Sequence, residues 1–317
     1  MKKILFICDP IQNFKILTDT TYSLMLAANE TKYSIYYVLP NNIYFENNAI
    51  IAKCKSLTIL CKSEDLPIIN NPWYLEDDVF QILNLNEFHS IFVRNDPPFN
   101  MEYYYLTQIL SIAEQQNIKI VNNSYALRNF NEKMSILNFP ALITPTMVTK
   151  DPESIHSFLL EHGDCVIKPL DMMAGRGVFK ISINDVNSSA IIEAATNYYT
   201  QTIMLQKFIP EVIYGDKRIF IVNGQIIEYC LHRIPQGTQI RGNIAAGGRG
   251  EVHKVSPEDF NLATQVASWL KQNKILFAGL DVIGNKLTEI NITSPTGTRQ
   301  ILTHTGINIP KLIIQSL

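Results

Sequence analysis

The chain has 317 residues, 46% hydrophobic and 18% charged, with a formal net charge of −2. That length allows two or three domains with a sizeable core, and the near-neutral balance argues against a nucleic-acid binder or a polybasic membrane tether. No apolar run is long enough to span a bilayer. The first apolar stretch, after Met1-Lys2-Lys3, is ended by Asp9-Pro10 too early for a signal peptide. Five scattered cysteines without a C-x-x-C pair (Cys8, Cys54, Cys61, Cys165, Cys230) read as free, mostly buried thiols in a reducing cytoplasm.

Lys3–Cys8 reads as a buried strand and Thr18–Glu30 as a helix, with Thr18 or Asp19 as N-cap. Ser34–Leu39, Ile91–Val93 and Lys119–Val121 follow as strands and Glu102–Gln115 as a helix; residues 62–87 are polar and less legible. Strands alternating with helices predict a parallel α/β sheet over roughly the first 120 residues. Ligands of such sheets sit beyond the carboxyl ends of strands. Asp9 and the run Arg94-Asn95-Asp96-Pro97-Pro98 fall there, and Arg94 could fork onto a substrate carboxylate. A stiff turn with solvated flanks explains the same run equally well.

A second segment begins near Asn122-Asn123. Asp151-Pro152 predicts a helix start with Pro at N1, stopped by Gly163. Cys165–Pro169 and Val178–Ile181 read as strands around the glycine-bearing loop Asp171–Gly177, Val186–Tyr199 as a helix, and Met204–Ile209 as a strand. Lys217–Val222 and Gln225–Leu231 form a hairpin about Asn223-Gly224, and Pro257–Asn273 is a helix. The second half is therefore α+β.

Lys168 lies inside a strand, where a buried ammonium needs an anion. Gly175 and Gly177 let backbone N–H groups approach a phosphate, without forming a P-loop. Lys133 is a second phosphate candidate, although a surface helix lysine reads as well. Gln206-Lys207-Phe208-Ile209 could flank a base as the strand leaves an apolar cleft. Residues 234–250 carry five glycines and two arginines, Arg241 and Arg249, and few large apolar side chains. Such a loop reads as a lid over a site. The most informative stretch is Asp281 through Asn291, two strand-like runs about Gly284-Asn285. Glu289 and Asn291 share a face. A three-residue turn sets Asp281 opposite Glu289, and a two-residue turn shifts the pairing by one. Clustered oxygen ligands suit a hard cation.

These strings together resemble the ATP-grasp carboxylate–amine ligases, most closely the bacterial glutathione synthetases. The resemblance runs nearly the full length and is most specific in Arg241-Gly242-Asn243, in Ala245 through Gly250, and in Thr288-Glu289-Ile290-Asn291 with Thr293-Ser294-Pro295-Thr296. It implies an ATP-grasp fold preceded by a parallel-sheet N-terminal domain. The expected division is residues 1–122 for substrate, 123–202 as the small lid part, and 203–317 as the C-terminal part with the flexible loop 235–250. It implies ligation of γ-glutamylcysteine and glycine with ATP through an acyl phosphate, and a cytoplasmic homo-oligomer, by family habit a tetramer. Nucleic acid and membrane are not expected partners.

The residue roles the resemblance implies are these. Lys133, Lys168, Gly175 and Gly177 meet the phosphates, and Gln206, Lys207, Phe208 and Ile209 surround adenine. Asp281, Glu289 and Asn291 hold Mg²⁺, with Mn²⁺ as an alternative. Asp216, Arg218, Arg233 and Arg241 serve catalysis, Asp216 also touching the nucleotide. Asp9, Arg94, Asp96, Arg241, Gly247, Gly248, Ser294 and Thr296 contact substrate. The phosphate loop departs from the usual Asp-Gly-Met-Gly-Gly by carrying Met172 and Arg176, and Arg94-Asn95 replaces the usual basic residue directly before Asp96.

Overall fold

A computed structural model describes residues 2–61, 72–95, 98–173, 175–237, 242 and 248–317. The described residues form three sheets. The first contains β1 (Lys3–Ile7), β2 (Ser34–Val38), β3 (Ile43–Glu46), β4 (Ala49–Ile59), β5 (Tyr74–Glu76), β6 (Gln81–Asn84), β7 (Ser90–Val93) and β8 (Lys119–Val121), with α1 (Thr20–Glu30) following β1 and α2 (Met101–Gln115) following β7. Its parallel centre runs β2-β1-β7-β8. Short, mostly apolar runs build it, and β1 is fully buried from Ile4 to Ile7. Asp19 caps α1 by accepting from the Tyr22 amide at 2.8 Å. An antiparallel extension, β3–β6, was not among the expected strands; only β5 and β6 fall in the less legible stretch 62–87.

After α3 (Ser124–Asn129), a four-stranded antiparallel sheet is made by β9 (Thr146–Thr149), β10 (Cys165–Pro169), β11 (Phe179–Ile181) and β12 (Ile203–Lys207), with α4 (Pro152–His162) and α5 (Ser188–Ala195) packed on it. Asp151 caps α4 and Gly163 ends it at φ +72°. β12, just past the expected boundary at 202/203, pairs with both β10 and β9.

The third sheet has the order β15-β14-β13-β16-β17. Its strands are β13 (Asp216–Val222), β14 (Gln225–Ile234), β15 (Arg249–Lys254), β16 (Phe277–Ile283) and β17 (Lys286–Asn291); α6 (Pro257–Gln272), α7 (Thr298–Thr305) and α8 (Ile309–Gln315) complete the chain. Buried Asn122 ties the first sheet to the third. Its Nδ2 donates to the Phe277 and Ile292 carbonyls at 2.7 and 2.6 Å, and its Oδ1 accepts from the Leu276 and Phe277 amides. All five cysteines are free, four of them buried. No helix among the described residues is long and apolar enough to cross a membrane.

Candidate active site

Strand alternation sorts the third sheet into two faces. Asp216 and Arg218 of β13 share a face. Asp216 pairs with Arg233 of β14, and Arg218 with Asp281 of β16. Asp281 lies opposite Glu289, and Gly279 opposite Asn291. Six polar side chains thus line one face. Gly279 is needed among them: a Cβ there would sit 3.3 Å from Arg218 Cδ and 3.1 Å from Pro295 Cβ, crowding the route by which Arg218 reaches Asp281.

Opposition of the two acids is achieved by neither turn considered in advance. The turn has two residues, with Ile283 facing Lys286 and Val282 facing Leu287. The register then shifts by one, leaving Thr288 as the extra residue of a β-bulge. Across β17, the Leu287 and Ile290 amides donate to the Leu142 and Glu132 carbonyls. That pairing brings Lys133 Nζ to 3.5 Å from Glu289 Oε1.

The charges alternate. Arg233 forks onto Asp216 at 2.6 and 2.8 Å and also reaches Asp281 Oδ2 at 2.7 Å. Arg218 forks onto Asp281, both bonds 2.8 Å. Burial alone would raise the Asp281 carboxyl, but the Arg218 and Arg233 guanidiniums outweigh it and hold the group below the usual carboxylate range. At Asp216 burial prevails over Arg233, and the shift is upward. Burial likewise lowers Lys168 from the usual lysine range.

A cleft of about 860 Å³, counting its open mouth, lies between this face and the four-stranded sheet. Lys133, Lys168, Gly175, Gln206, Lys207, Phe208, Ile209, Asp216, Asp281 and Glu289 all line it. So do residues the sequence reading did not single out for this role: the apolar wall of Val166, Val178, Val212 and Ile283, together with Arg176, Gly242 and Thr288. Wall positions on a strand look like ordinary core in sequence, which is why they were missed. Lys168 donates to Gln206 Oε1 at 2.6 Å, and Gln206 Nε2 donates to Thr146 Oγ1. Gln206 therefore aims Lys168. The amides of Lys207 and Phe208 donate to the Pro145 and Asp164 carbonyls, which fixes the backbone of this cleft wall. The Met172 carbonyl accepts from Lys133 Nζ, so the unusual loop is tethered through its backbone. Gly177 does not line the cleft: at φ +68°, its absent Cβ would lie 2.8 Å from Pro169 Cγ, so it packs the loop onto the strand end.

Of the expected metal ligands, Asp281 has both oxygens engaged by arginine. Asn291 Oδ1, by contrast, is buried with no hydrogen-bond partner. A buried bare acceptor beside two carboxylates is the donor chemistry of a hard-cation site, and the residues fit one. Among the described residues no three His, Cys, Asp or Glu side chains gather as such a site, so the amide has to complete the set.

The expected substrate residues are distributed differently. β1 and β7 are parallel neighbours with Ile7 opposite Val93, which brings Asp9 and Arg94 to the same end of the sheet, Arg94 level with Cys8. Arg94 is buried and donates to Thr21 Oγ1 at 3.1 Å and to the Thr293 and Pro295 carbonyls at 3.4 and 3.3 Å. These bonds tie the first sheet to the segment after β17. Ser294 is buried; Thr296 is exposed, and its carbonyl lies 3.4 Å from Arg218 Nη1. Gly248 is partly exposed just before β15. Ser294, Thr296 and Gly248 are not among the residues lining the cleft. Asp96 lies outside the described residues, and so do Arg241, Gly247 and the other central residues of the expected lid except Gly242. The described ends of that loop are joined, because β14 and β15 pair from Ile234 and Arg249.

Fold and site together define an ATP-grasp protein. The D-cycloserine synthetase DcsG superposes with a TM-score of 0.63 at 14% identity, covering 99% of this chain and 98% of that one. The ATP-grasp ligase PsnB, solved with a precursor peptide and AMPPNP, gives 0.61 at 15%, covering 99% and 96%. At such identities the likeness establishes the fold alone. The family models of the prokaryotic glutathione synthetase N-terminal domain and ATP-grasp domain match residues 2–128 and 132–306. The glutathione synthetase of Neisseria meningitidis serogroup A is 41% identical over 315 residues, covering 99% of this chain and 98% of that one. That of Vibrio parahaemolyticus is 41% identical over 317 residues, covering 100% and 98%. The chain belongs to the prokaryotic glutathione synthetase family.

Proposed function

We propose that this protein joins γ-glutamylcysteine to glycine with ATP, giving glutathione, ADP and phosphate. The observation that carries this reading is the cleft, where Lys133, Lys168, Glu289 and Asp281 meet between two sheets with an apolar wall beside them. The wall would take the base, and the two ammoniums the phosphates. Asp281, Glu289 and Asn291 would hold Mg²⁺ (or Mn²⁺), which when bound neutralises the phosphates. The dipeptide's cysteinyl carboxylate would attack the γ-phosphate, releasing ADP and forming an acyl phosphate. The amine of glycine would then displace phosphate as the C–N bond forms. Arg218 and Arg233 would face the developing charge, with Asp216 and Asp281 setting their planes. Positioning and electrostatics carry such a transfer, and no general base is required. Arg241 and Gly247, with Asp9, Asp96, Ser294, Thr296 and Gly248, are proposed toward substrate.

The proposed division is residues 1–122, a small unit extending through Lys207, and the remainder to 317. Light scattering tests a homo-oligomer, tetrameric by family habit, and fractionation tests the cytoplasm. The function is tested by phosphate release with γ-glutamylcysteine and a panel of amino acids. Glycine should give the fastest release together with glutathione. Release that ignores the dipeptide, or a product with a different acid, overturns the assignment and leaves another ATP-grasp ligation.

A further inference from the structure

We propose that Thr288 is a positioning residue for the divalent cation, acting through the bulge that sets Asp281 opposite Glu289. This rests on the reading of the cleft as a metal–nucleotide site. The turn Gly284-Asn285 is a two-residue one, so an unbroken ladder from it would pair Asp281 with Thr288. Glu289 would then stand opposite Leu280, on the face away from the cleft. The chain instead inserts Thr288 as the unpaired residue, after which Asp281 meets Glu289 and Gly279 meets Asn291.

Thr288 is buried, and its Oγ1 donates to the Asp281 carbonyl at 3.0 Å. The bulged residue is thus bonded directly to the residue whose partner it displaces. A threonine is stiff at χ1, so its hydroxyl holds that direction with little rotamer freedom to lose. The rest of the hairpin is fixed independently. Asn122 grips the open end at Phe277 and Ile292, and Lys217 Nζ donates to the Gly284 carbonyl at the turn. With both ends held, the odd residue must be absorbed between them.

The test titrates Mg²⁺ into the full-length protein with a non-hydrolysable ATP analogue by calorimetry, alongside the metal-free analogue. Thr288→Val, which replaces the hydroxyl by a methyl, should weaken the Mg²⁺ dependence of nucleotide binding about tenfold, the scale of losing a ligand-orienting partner. Metal-free nucleotide binding should fall by much less than the Mg²⁺-dependent binding, and Thr288→Ser should return most of the loss. If the valine variant does not fold, Thr288→Ala takes its place in the same comparison. An unchanged Mg²⁺ dependence without the hydroxyl, or equal losses in the serine and valine variants, overturns the proposal. A wild type whose nucleotide binding ignores Mg²⁺ overturns the cleft reading as well. Failure to make glutathione while Mg²⁺ dependence persists overturns only the substrate assignment.

Discussion

Residues 216, 217 and 218 send alternate side chains to the two faces of one sheet, and the two faces treat buried charge differently. On the α6 face, Lys217 bonds both oxygens of Asp259 at 2.5 and 2.7 Å and the Gly284 carbonyl at 2.7 Å, which uses all three ammonium donors. On the cleft face, Asp216, Arg233, Asp281 and Arg218 form an alternating row ending beside Glu289, a carboxylate left partly exposed, and Asn291, whose oxygen has no partner. A closed ion pair fixes structure. An open row holds charges ready for something brought from outside.

The largest effect expected is on the closed face. Lys217→Met leaves Asp259 buried without its cation and should lower stability in urea denaturation by about 3–5 kcal/mol. Glutathione formation per folded molecule should stay within a few-fold of wild type. Replacing both partners (Lys217→Met with Asp259→Leu) should restore most of the stability. A loss of turnover larger than the loss of stability would break the distinction between the faces.

Glu289→Ala should do the reverse, cutting phosphate release by about 10²–10³-fold, the scale of removing a group that holds transition-state charge. Its denaturation midpoint should hardly move. Wild-type-like rates would remove the metal assignment. Lys168→Met should come next, raising the ATP concentration for half-maximal rate by about ten- to a hundredfold, as expected for a lost charge-assisted contact of roughly 1.5–3 kcal/mol.

The smallest effect concerns pH. Burial, and then the Glu289 charge, push the Glu132 carboxyl up from 4.5 to about 7. The folded protein therefore binds this proton more tightly than the unfolded chain. Its contribution to stability is full below pH 4.5 and is lost as pH rises through 7, by at most about 1.4 kcal/mol per pH unit. Glu132→Gln should flatten that slope in urea titrations across this window. An unaltered slope would show that another group sets it.

The lesson for sequence reading divides along the same lines. β1, β7, the capped helices α1 and α4, and the hairpin about Gly284-Asn285 were legible because period and caps are local signals. β3, β5 and β6 were not, since strands of three or four residues between polar turns carry little periodicity, and the longer β4 was not picked out either. Lys168 reads in sequence as a strand lysine that needs an anion; the structure sets it in β10 and supplies Gln206, a neutral amide, as its guide. Arg94 reads in sequence as a fork for a carboxylate, and the structure adds its bonds to Thr21, Thr293 and Pro295, because a guanidinium shows its donors in sequence but not its acceptors.

By itself the sequence determined the chemistry available: which acids, amides and cations exist, which share a strand face, and which family they resemble. Tertiary structure alone decided which of them meet. Asp281 faces Glu289 through one unpaired threonine, a register set by pairing between distant strands. Lys133 comes alongside through a backbone bond from Ile290 to Glu132, 158 positions earlier in the numbering. Such contacts join segments far apart in the chain, and no local pattern encodes them.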